Sequence, residues 1–198
     1  MVHDTESADV PGLQLVLELE MPLFSNTRPL IFAVAVSAFW MAALCGMPRD
    51  ARAALDPPAG EVILVVAGKI SETNVGDEAH FDREMLAALG METLETTTPF
   101  EEGPQVFQGP RLAALLKAVG ADGQVIIATA LDGYTVEIPA QDMLDYPVLL
   151  AMIWNGKEMG IRNKGPTWIV YPLDQYPELV GEKFSARSIW QLSSIRIR

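Results

Sequence analysis

Glycine and proline divide this sequence into short segments. The 198 residues include 15 glycines and 14 prolines. Glycine allows the positive φ angles that tight turns need, whereas proline ends helices and cannot donate a hydrogen bond within a sheet. The sequence after residue 53 therefore predicts short strands and helices joined by turns, in one domain of ordinary size.

The apolar patterns of this region predict six or seven strands and two or three short helices. Strands are predicted over 61–68, 94–100, 124–130, 134–138, 148–154, 167–171 and 189–197, and helices over 81–89, 111–119 and 141–146. The Asp132-Gly133 and Asn155-Gly156 pairs are strong hairpin signals. Because the strands do not alternate regularly with helices, the expected fold class is α+β with mixed β-sheets.

An uncharged apolar run occupies residues 30–47, between Arg28 and the sequence Ala51-Arg52-Ala53. A positive residue, an apolar run and an A-x-A motif in this order are typical of a secretory signal. We therefore expect a signal peptide over 21–53, cleaved after Ala53, and a single exported, periplasmic domain over 54–198. Residues 1–20 are acidic, which a signal does not favour, so we expect translation to start at Met21 and residues 1–20 to be a non-native extension.

An uncleaved N-terminal membrane anchor is the alternative interpretation of this apolar run. Its length is near the minimum of about 17 residues that spans a bilayer. Arg49 and Arg52 follow the run, however, whereas an anchor of this orientation keeps its positive charges on the cytoplasmic side.

Charge and cysteine content exclude several classes of function. The net charge is −12, which argues against binding to nucleic acid or to anionic membrane surfaces. Cys45 is the only cysteine and lies in the predicted signal, so residues 54–198 contain neither a disulfide nor a thiolate ligand. His80 is the only histidine of that region. A zinc site built from cysteine and histidine is therefore excluded.

The order of several short sequence motifs resembles that in a known protein family. They are Phe107-x-Gly109-x-x-Leu112-x-x-Leu115-Leu116, the Gly120-Ala121 turn, the two strands around Asp132-Gly133, Asn155-Gly156, Gly165-Pro166 before an apolar strand ending at Tyr171-Pro172, and a last strand rich in Trp and Ile. Over about residues 60–198, this order resembles the oxidoreductase molybdopterin-binding domain, the sulfite-oxidase-type fold, in its small exported form.

The resemblance departs from the catalytic members at the metal ligand. In those enzymes a cysteine shortly before the Gly-x-x-Leu helix binds molybdenum, whereas residues 94–100 here contain threonines, with Thr96 and Thr98 standing at that position. A neutral hydroxyl is a poor ligand for a metal that favours thiolate. The resemblance thus implies the branch that binds a pterin, of tetrahydropterin or molybdopterin type, without a protein-ligated metal.

Exported pterin-binding regulators belong to this branch, and they act on a membrane-bound diguanylate cyclase or phosphodiesterase. The resemblance therefore implies a sensory or regulatory protein with a small-molecule pterin ligand and a partner of that kind. Two alternatives stay open. One is a molybdenum-cofactor-dependent oxidoreductase whose metal is held only through the pterin dithiolene, and the other is a protein-interaction module with a vestigial pocket.

The C-terminal third offers the side chains that a pterin needs. A pterin is a flat heteroaromatic ring with donors and an acceptor on its edge, so its site requires an aromatic wall and polar partners. Residues 155–198 contain seven Lys and Arg side chains against four Asp and Glu, together with several aromatic residues. The predicted cofactor contacts are Arg187, Ser188, Trp190, Asn155, Arg162, Thr96 and Thr98. The plainer interpretation makes the tryptophan part of the core, Asn155 part of a hairpin turn and the threonines part of a solvent-facing strand.

Overall fold

The structure is a computed structural model that describes residues 55–198. The structure thus leaves undescribed the predicted extension over 1–20 and the whole predicted signal over 21–53, with its alternative as an anchor and Cys45. None of the helices within residues 55–198 has the length and apolar character needed to cross a membrane.

Short strands and helices make up the described region, in keeping with the frequent glycines and prolines. The strands are β1 (Leu64–Gly68), β2 (Ala79–Phe81), β3 (Glu92–Thr98), β4 (Glu101–Gly109), β5 (Val125–Ala130), β6 (Thr135–Pro139), β7 (Leu149–Ala151), β8 (Ile153–Trp154), β9 (Lys157–Glu158), β10 (Trp168–Val170) and β11 (Leu192–Ile197). The helices are α1 (Arg83–Ala88), α2 (Leu112–Ala118), α3 (Asp142–Asp145) and α4 (Glu182–Arg187), with 3-10 turns at Ile161–Asn163 and Pro177–Leu179.

The strands form three sheets. The five-stranded sheet has the order β2-β1-β11-β5-β6, in which β1 and β11 are parallel and the other pairs antiparallel. A four-stranded antiparallel sheet has the order β3-β4-β8-β9, and β10 pairs with β7. Mixed sheets with a few short helices confirm the predicted α+β class.

Two apolar clusters form the core. The larger one packs the helices against the five-stranded sheet, and it includes Leu115 of α2 and alternate residues of β5 such as Ile126 and Ala128. The smaller one lies between the four-stranded sheet and the β7–β10 pair, where Phe107 and Trp168 are fully buried. Because strand side chains alternate between faces, β5 buries one face in this way.

Gly109 allows these sheets to approach each other. A Cβ atom at this position would lie 2.0 Å from the carbonyl oxygen of Leu150, which is far inside van der Waals contact. Only glycine therefore permits the end of β4 to pass so close to β7.

Several element predictions need correction, and the short strands β2 and β9 were not predicted at all. Strand β4 was not predicted, because the sequence Glu101-Glu102-Gly103-Pro104 has low strand propensity; the strand forms because it pairs with both β3 and β8. Helix α4 was not predicted either. The single strand expected over 148–154 is interrupted at Met152, and its two halves, β7 and β8, pair in different sheets.

Candidate functional site

A cavity of about 360 Å³ lies where α4, the segment after it and the β5–β6 turn meet. This volume falls in the range of about 300–1,000 Å³ that is usual for small-molecule sites. The side chains that give the cavity its chemistry are Phe100, Asp132, Tyr134, Glu182, Ser188 and Trp190. A larger depression of about 1010 Å³ lies near Lys117 and Leu144, but no aromatic ring is among the described residues that line it. The smaller cavity is therefore the better site for a flat heteroaromatic ligand.

Two aromatic rings form one wall of the cavity. Trp190 lies between α4 and β11, and Phe100 lies in the turn between β3 and β4. Their ring centroids are 4.6 Å apart and the rings meet edge to face. The backbone N–H of Phe100 donates to Oγ1 of Thr98 at 3.3 Å. The predicted contact Thr98 thus fixes the turn that presents Phe100.

Exposed carboxylates stand at the rim of the cavity. Asp132 accepts a hydrogen bond from the backbone N–H of Tyr134 at 2.9 Å, and the Tyr134 hydroxyl donates to the carbonyl of Ala186 at 3.4 Å. These bonds tie the β5–β6 turn to α4, whose first turn carries Glu182. Carboxylates are strong acceptors for amino and ring N–H donors, so this rim suits the donor edge of a pterin.

The cavity lining contains no lysine or arginine among the residues that the structure describes. Arg187, a predicted ligand contact, instead pairs with Asp142 at 2.8 Å, and only 12% and 10% of the two side chains are exposed. The Tyr171 hydroxyl donates to the same carboxylate oxygen at 2.8 Å. Burial, together with this bond to Asp142, raises the pKa of Tyr171 far above its usual value. Arg187 thus anchors α4 beside the cavity, and its contact with a ligand stays a prediction.

Two of the predicted residues, Ser188 and Trp190, line the cavity. The Ser188 hydroxyl donates to the carbonyl of Phe184 at 2.9 Å, and its own carbonyl accepts from the Trp168 indole at 3.1 Å. Within residues 55–198, the Trp190 indole N–H makes no hydrogen bond, whereas those of Trp154 and Trp168 do.

Asn155 and Arg162 are not among the residues lining this cavity. Asn155 adopts a φ of 48° in the β8–β9 turn, where its side chain accepts from the Val106 backbone N–H and donates to Gln105, each at 2.9 Å. Arg162 is exposed in the 3-10 turn Ile161–Asn163. Asn155 thus holds the β8–β9 turn against β4, and the contacts of Asn155 and Arg162 with a ligand stay predictions.

Thr96 is fully buried at the position that the resemblance gives to the metal ligand. Its hydroxyl donates to the Thr97 carbonyl at 3.3 Å and accepts from the Asp174 backbone N–H at 3.2 Å. Residues 55–198 contain no cysteine, and no group of three or more His, Asp or Glu side chains in that range is arranged to hold a metal. The donors present thus fit the organic ring of a pterin cofactor and offer no thiolate to molybdenum.

Phe100, Asp132, Tyr134 and Glu182 were not predicted as site residues. Asp132 and Tyr134 carried a signal, since the sequence places them at a hairpin turn and turns often present functional groups. The sequence contains no comparable signal for Glu182, because the helix that begins with this residue was not predicted.

The fold and the site together define a cofactor-binding domain whose cavity suits a pterin. Residues 90–175 match the model of the oxidoreductase molybdopterin binding domain, and a molybdopterin-type cofactor is what that family implies. The match begins just before β3 and ends before α4, so it includes Phe100 and the β5–β6 turn but not Trp190. This match over residues 90–175 confirms the family recognised from the order of sequence motifs.

A solved structure supports the fold. The chain is similar to the sulfane dehydrogenase SoxCD from Paracoccus pantotrophus, with a TM-score of 0.51 and 17% sequence identity over 73% of this chain and 40% of that chain. The chain therefore spans less than half the length of that relative, and at this identity the likeness concerns the fold alone. Comparison with curated proteins gives no match. The sulfite-oxidase-type fold predicted from the sequence is confirmed.

Proposed function

We propose that this protein binds a reduced pterin in the cavity beside Trp190 and acts as an exported sensory or regulatory protein. The observation that carries the proposal is the combination, on one cavity, of an aromatic wall from Phe100 and Trp190 with the carboxylates of Asp132 and Glu182. The ring stacks on or against the wall, and the carboxylates accept from its 2-amino and ring N–H groups.

The charges around the cavity favour a pterin without a phosphate group. The described lining includes two carboxylates and no cation. A phosphate ester placed there meets like charges and finds no lysine or arginine to pair with. We therefore expect a tetrahydropterin to bind more tightly than its phosphate ester, which favours this ligand class over intact molybdopterin.

A regulatory role rests on Thr96 and on the family resemblance. Thr96 offers a buried, hydrogen-bonded hydroxyl where catalytic members carry a thiolate. A membrane-bound diguanylate cyclase or phosphodiesterase is the partner that the resemblance implies, and export to the periplasm, as predicted from residues 21–53, gives access to the outer domain of such a partner.

The test starts with protein purified from its own host. The extract is denatured and oxidised, and we expect the fluorescence of an oxidised pterin together with molybdenum well below one atom per chain. Stoichiometric molybdenum would instead favour the oxidoreductase alternative. Absence of pterin from the purified protein, together with no binding of added tetrahydropterin, would leave the protein-interaction module.

Site-directed variants then test the cavity itself. The double variant Asp132→Asn/Glu182→Gln keeps the size and shape of both side chains. The amide oxygen introduced at position 132 can still accept a hydrogen bond from the Tyr134 backbone N–H. Each amide can still accept a hydrogen bond, but a neutral bond contributes about 0.5–1.5 kcal/mol instead of the roughly 1.5–3 kcal/mol of a charge-assisted one. The two changes should therefore lower tetrahydropterin affinity roughly 30- to 150-fold. Glu178→Gln, an exposed carboxylate outside the cavity lining, is the matched control. Equal affinity in the double variant and the control would place the ligand elsewhere.

A further inference from the structure

The ammonium group of Lys164 lies inside a cage of aromatic rings. Its nitrogen is 5.0 Å from the ring centroid of Trp168, 5.3 Å from that of Trp154, 5.5 Å from that of Trp190 and 5.9 Å from that of Phe100. All four distances are within the roughly 6 Å over which a cation is attracted to a ring face. The cage therefore joins Lys164 to both rings of the cavity wall.

Lys164 is held in this position by two further contacts. Its ammonium group also forms an ion pair with Glu101, and only 23% of its side chain is exposed. Its backbone has a φ of 61°, and its carbonyl accepts from the N–H of Gln191 at 3.0 Å. Since Gln191 directly follows Trp190, the backbone and the side chain of Lys164 both reach the same segment of the chain.

Trp190 has fewer anchors of its own than the other indoles of the cage. Trp154 donates its indole N–H to Gln105 at 3.0 Å, and Trp168 donates to the carbonyl of Ser188 at 3.1 Å. In the described part of the chain, Trp190 has no such bond and is only half-buried. Its orientation therefore depends on edge contacts with Phe100 and Trp168 and on the cation of Lys164.

We propose that Lys164 is a positioning residue that orients the Trp190 indole as the wall of the ligand cavity. Lys164 does not itself line the cavity; it acts from the cage side, through Trp190 and Phe100. The consequence for ligand affinity rests on the proposed function, whereas the orientation of Trp190 does not. A Trp190 ring that is already fixed binds a flat ligand more tightly than a mobile ring does, because the side chain then loses no rotamer freedom on binding.

The experiment compares Lys164→Met, which keeps most of the side-chain volume, with Lys164→Arg, which keeps the cation. Lys157→Met is the control, since Lys157 is an exposed lysine of the nearby strand β9 and lies outside the cage. The first readout is the indole N–H resonance of Trp190 in ¹H–¹⁵N spectra, assigned with Trp190→Phe. We expect it to shift and broaden in Lys164→Met and to stay near its original position in Lys164→Arg and Lys157→Met.

The second readout is the affinity for tetrahydropterin. Loss of a desolvated cation from the cage should weaken binding about 5- to 30-fold, which corresponds to about 1–2 kcal/mol at 1.4 kcal/mol per tenfold. Lys164→Arg, which keeps the cation, should retain most of the wild-type affinity. The double variant Lys164→Met/Glu101→Gln should bind as weakly as Lys164→Met. Recovery in this double variant would assign the effect to an unpaired Glu101 and overturn the proposal.

Two outcomes separate this inference from the proposed function. If wild-type protein binds no pterin, the proposed function fails, but the Trp190 resonance still decides the role of Lys164. An unchanged Trp190 resonance in Lys164→Met overturns the role of Lys164 whether or not pterin binds. Should that variant not fold, wild-type protein provides the measurement, because the ε-methylene protons of a caged lysine are shifted upfield by the ring currents. An ordinary lysine shift at Lys164 would equally overturn the proposal.

Discussion

Replacement of Arg187 separates its structural role from its predicted role in ligand binding. The guanidinium group and the Asp142 carboxylate are 2.8 Å apart, and about nine-tenths of each side chain is buried. Arg187→Met keeps much of the apolar volume but leaves the carboxylate buried without a cation. Removing one partner of a buried pair costs about 3–5 kcal/mol. We expect the lower end, about 3 kcal/mol, because the Tyr171 hydroxyl still donates to Asp142.

Urea unfolding measures this cost directly. With a slope of about 2 kcal/mol per molar urea, a loss of about 3 kcal/mol lowers the midpoint by about 1.5 M. Arg196→Met is the matched control, because Arg196 is exposed on β11, and surface changes usually stay within about 0.5 kcal/mol. Arg187→Met should therefore unfold well before Arg196→Met.

The double variant Asp142→Asn/Arg187→Met tests whether the loss comes from the unpaired charge. The amide introduced at position 142 is neutral and can still accept from Tyr171, so the double variant should be more stable than Arg187→Met alone. Equal midpoints for Arg187→Met and Arg196→Met would refute the reasoning. The reasoning would also be refuted if the double variant lost as much free energy of unfolding as Arg187→Met and Asp142→Asn lose together. Tetrahydropterin titration of folded Arg187→Met then shows whether Arg187 also contacts the ligand.

Two further predictions concern the start of the domain. Asp82 caps α1 and accepts from the backbone N–H groups of Met85 at 2.9 Å and Gly60 at 2.8 Å, so Asp82→Ala should lower the free energy of unfolding by about 2–4 kcal/mol at pH 7. The hydrogen bond from Met85, and after it that from Gly60, holds the pKa of Asp82 below its ordinary value. The stabilisation by ionised Asp82 is therefore present above about pH 4 and is lost as the pH falls through the folded-state pKa. The urea midpoints of wild type and Asp82→Ala should accordingly converge in acid. For export, N-terminal sequencing of periplasmic protein should begin at Ala54, and protein that retains residues 30–47 in a membrane fraction would contradict cleavage.

The elements predicted correctly are those whose signals are local. Helix α2 follows from apolar residues on one face and from Gly120 after its end, and the β5–β6 hairpin follows from Asp132-Gly133. Strand β4 and helix α4 lack such signals. Helix α4 has only six residues, too few to be stable alone, and it depends on the Arg187–Asp142 pair and on the burial of Phe184. Contacts between distant residues cannot be seen in a local pattern.

The candidate site was predicted in part for the same reason. The concentration of basic and aromatic residues in the C-terminal third led to Ser188 and Trp190, which line the cavity. Phe100 and Asp132 come from other segments, and only the folded sheets bring them to Trp190. Arg187 was selected as a free donor because its partner Asp142 lies 45 residues away in sequence, and sequence pattern alone does not reveal that pairing.

Thr96 supports the geometry of the cavity through its hydrogen bonds. Its hydroxyl accepts from the backbone of Asp174, and the carboxylate of Asp174 in turn accepts from the Thr97 backbone N–H at 2.8 Å. These bonds fasten the end of β3 just before the turn that presents Phe100. A side chain that bound a metal at position 96 would give up its bond to Asp174, and with it part of the support for that turn. In this chain the hydrogen bonds of Thr96 therefore support the aromatic wall.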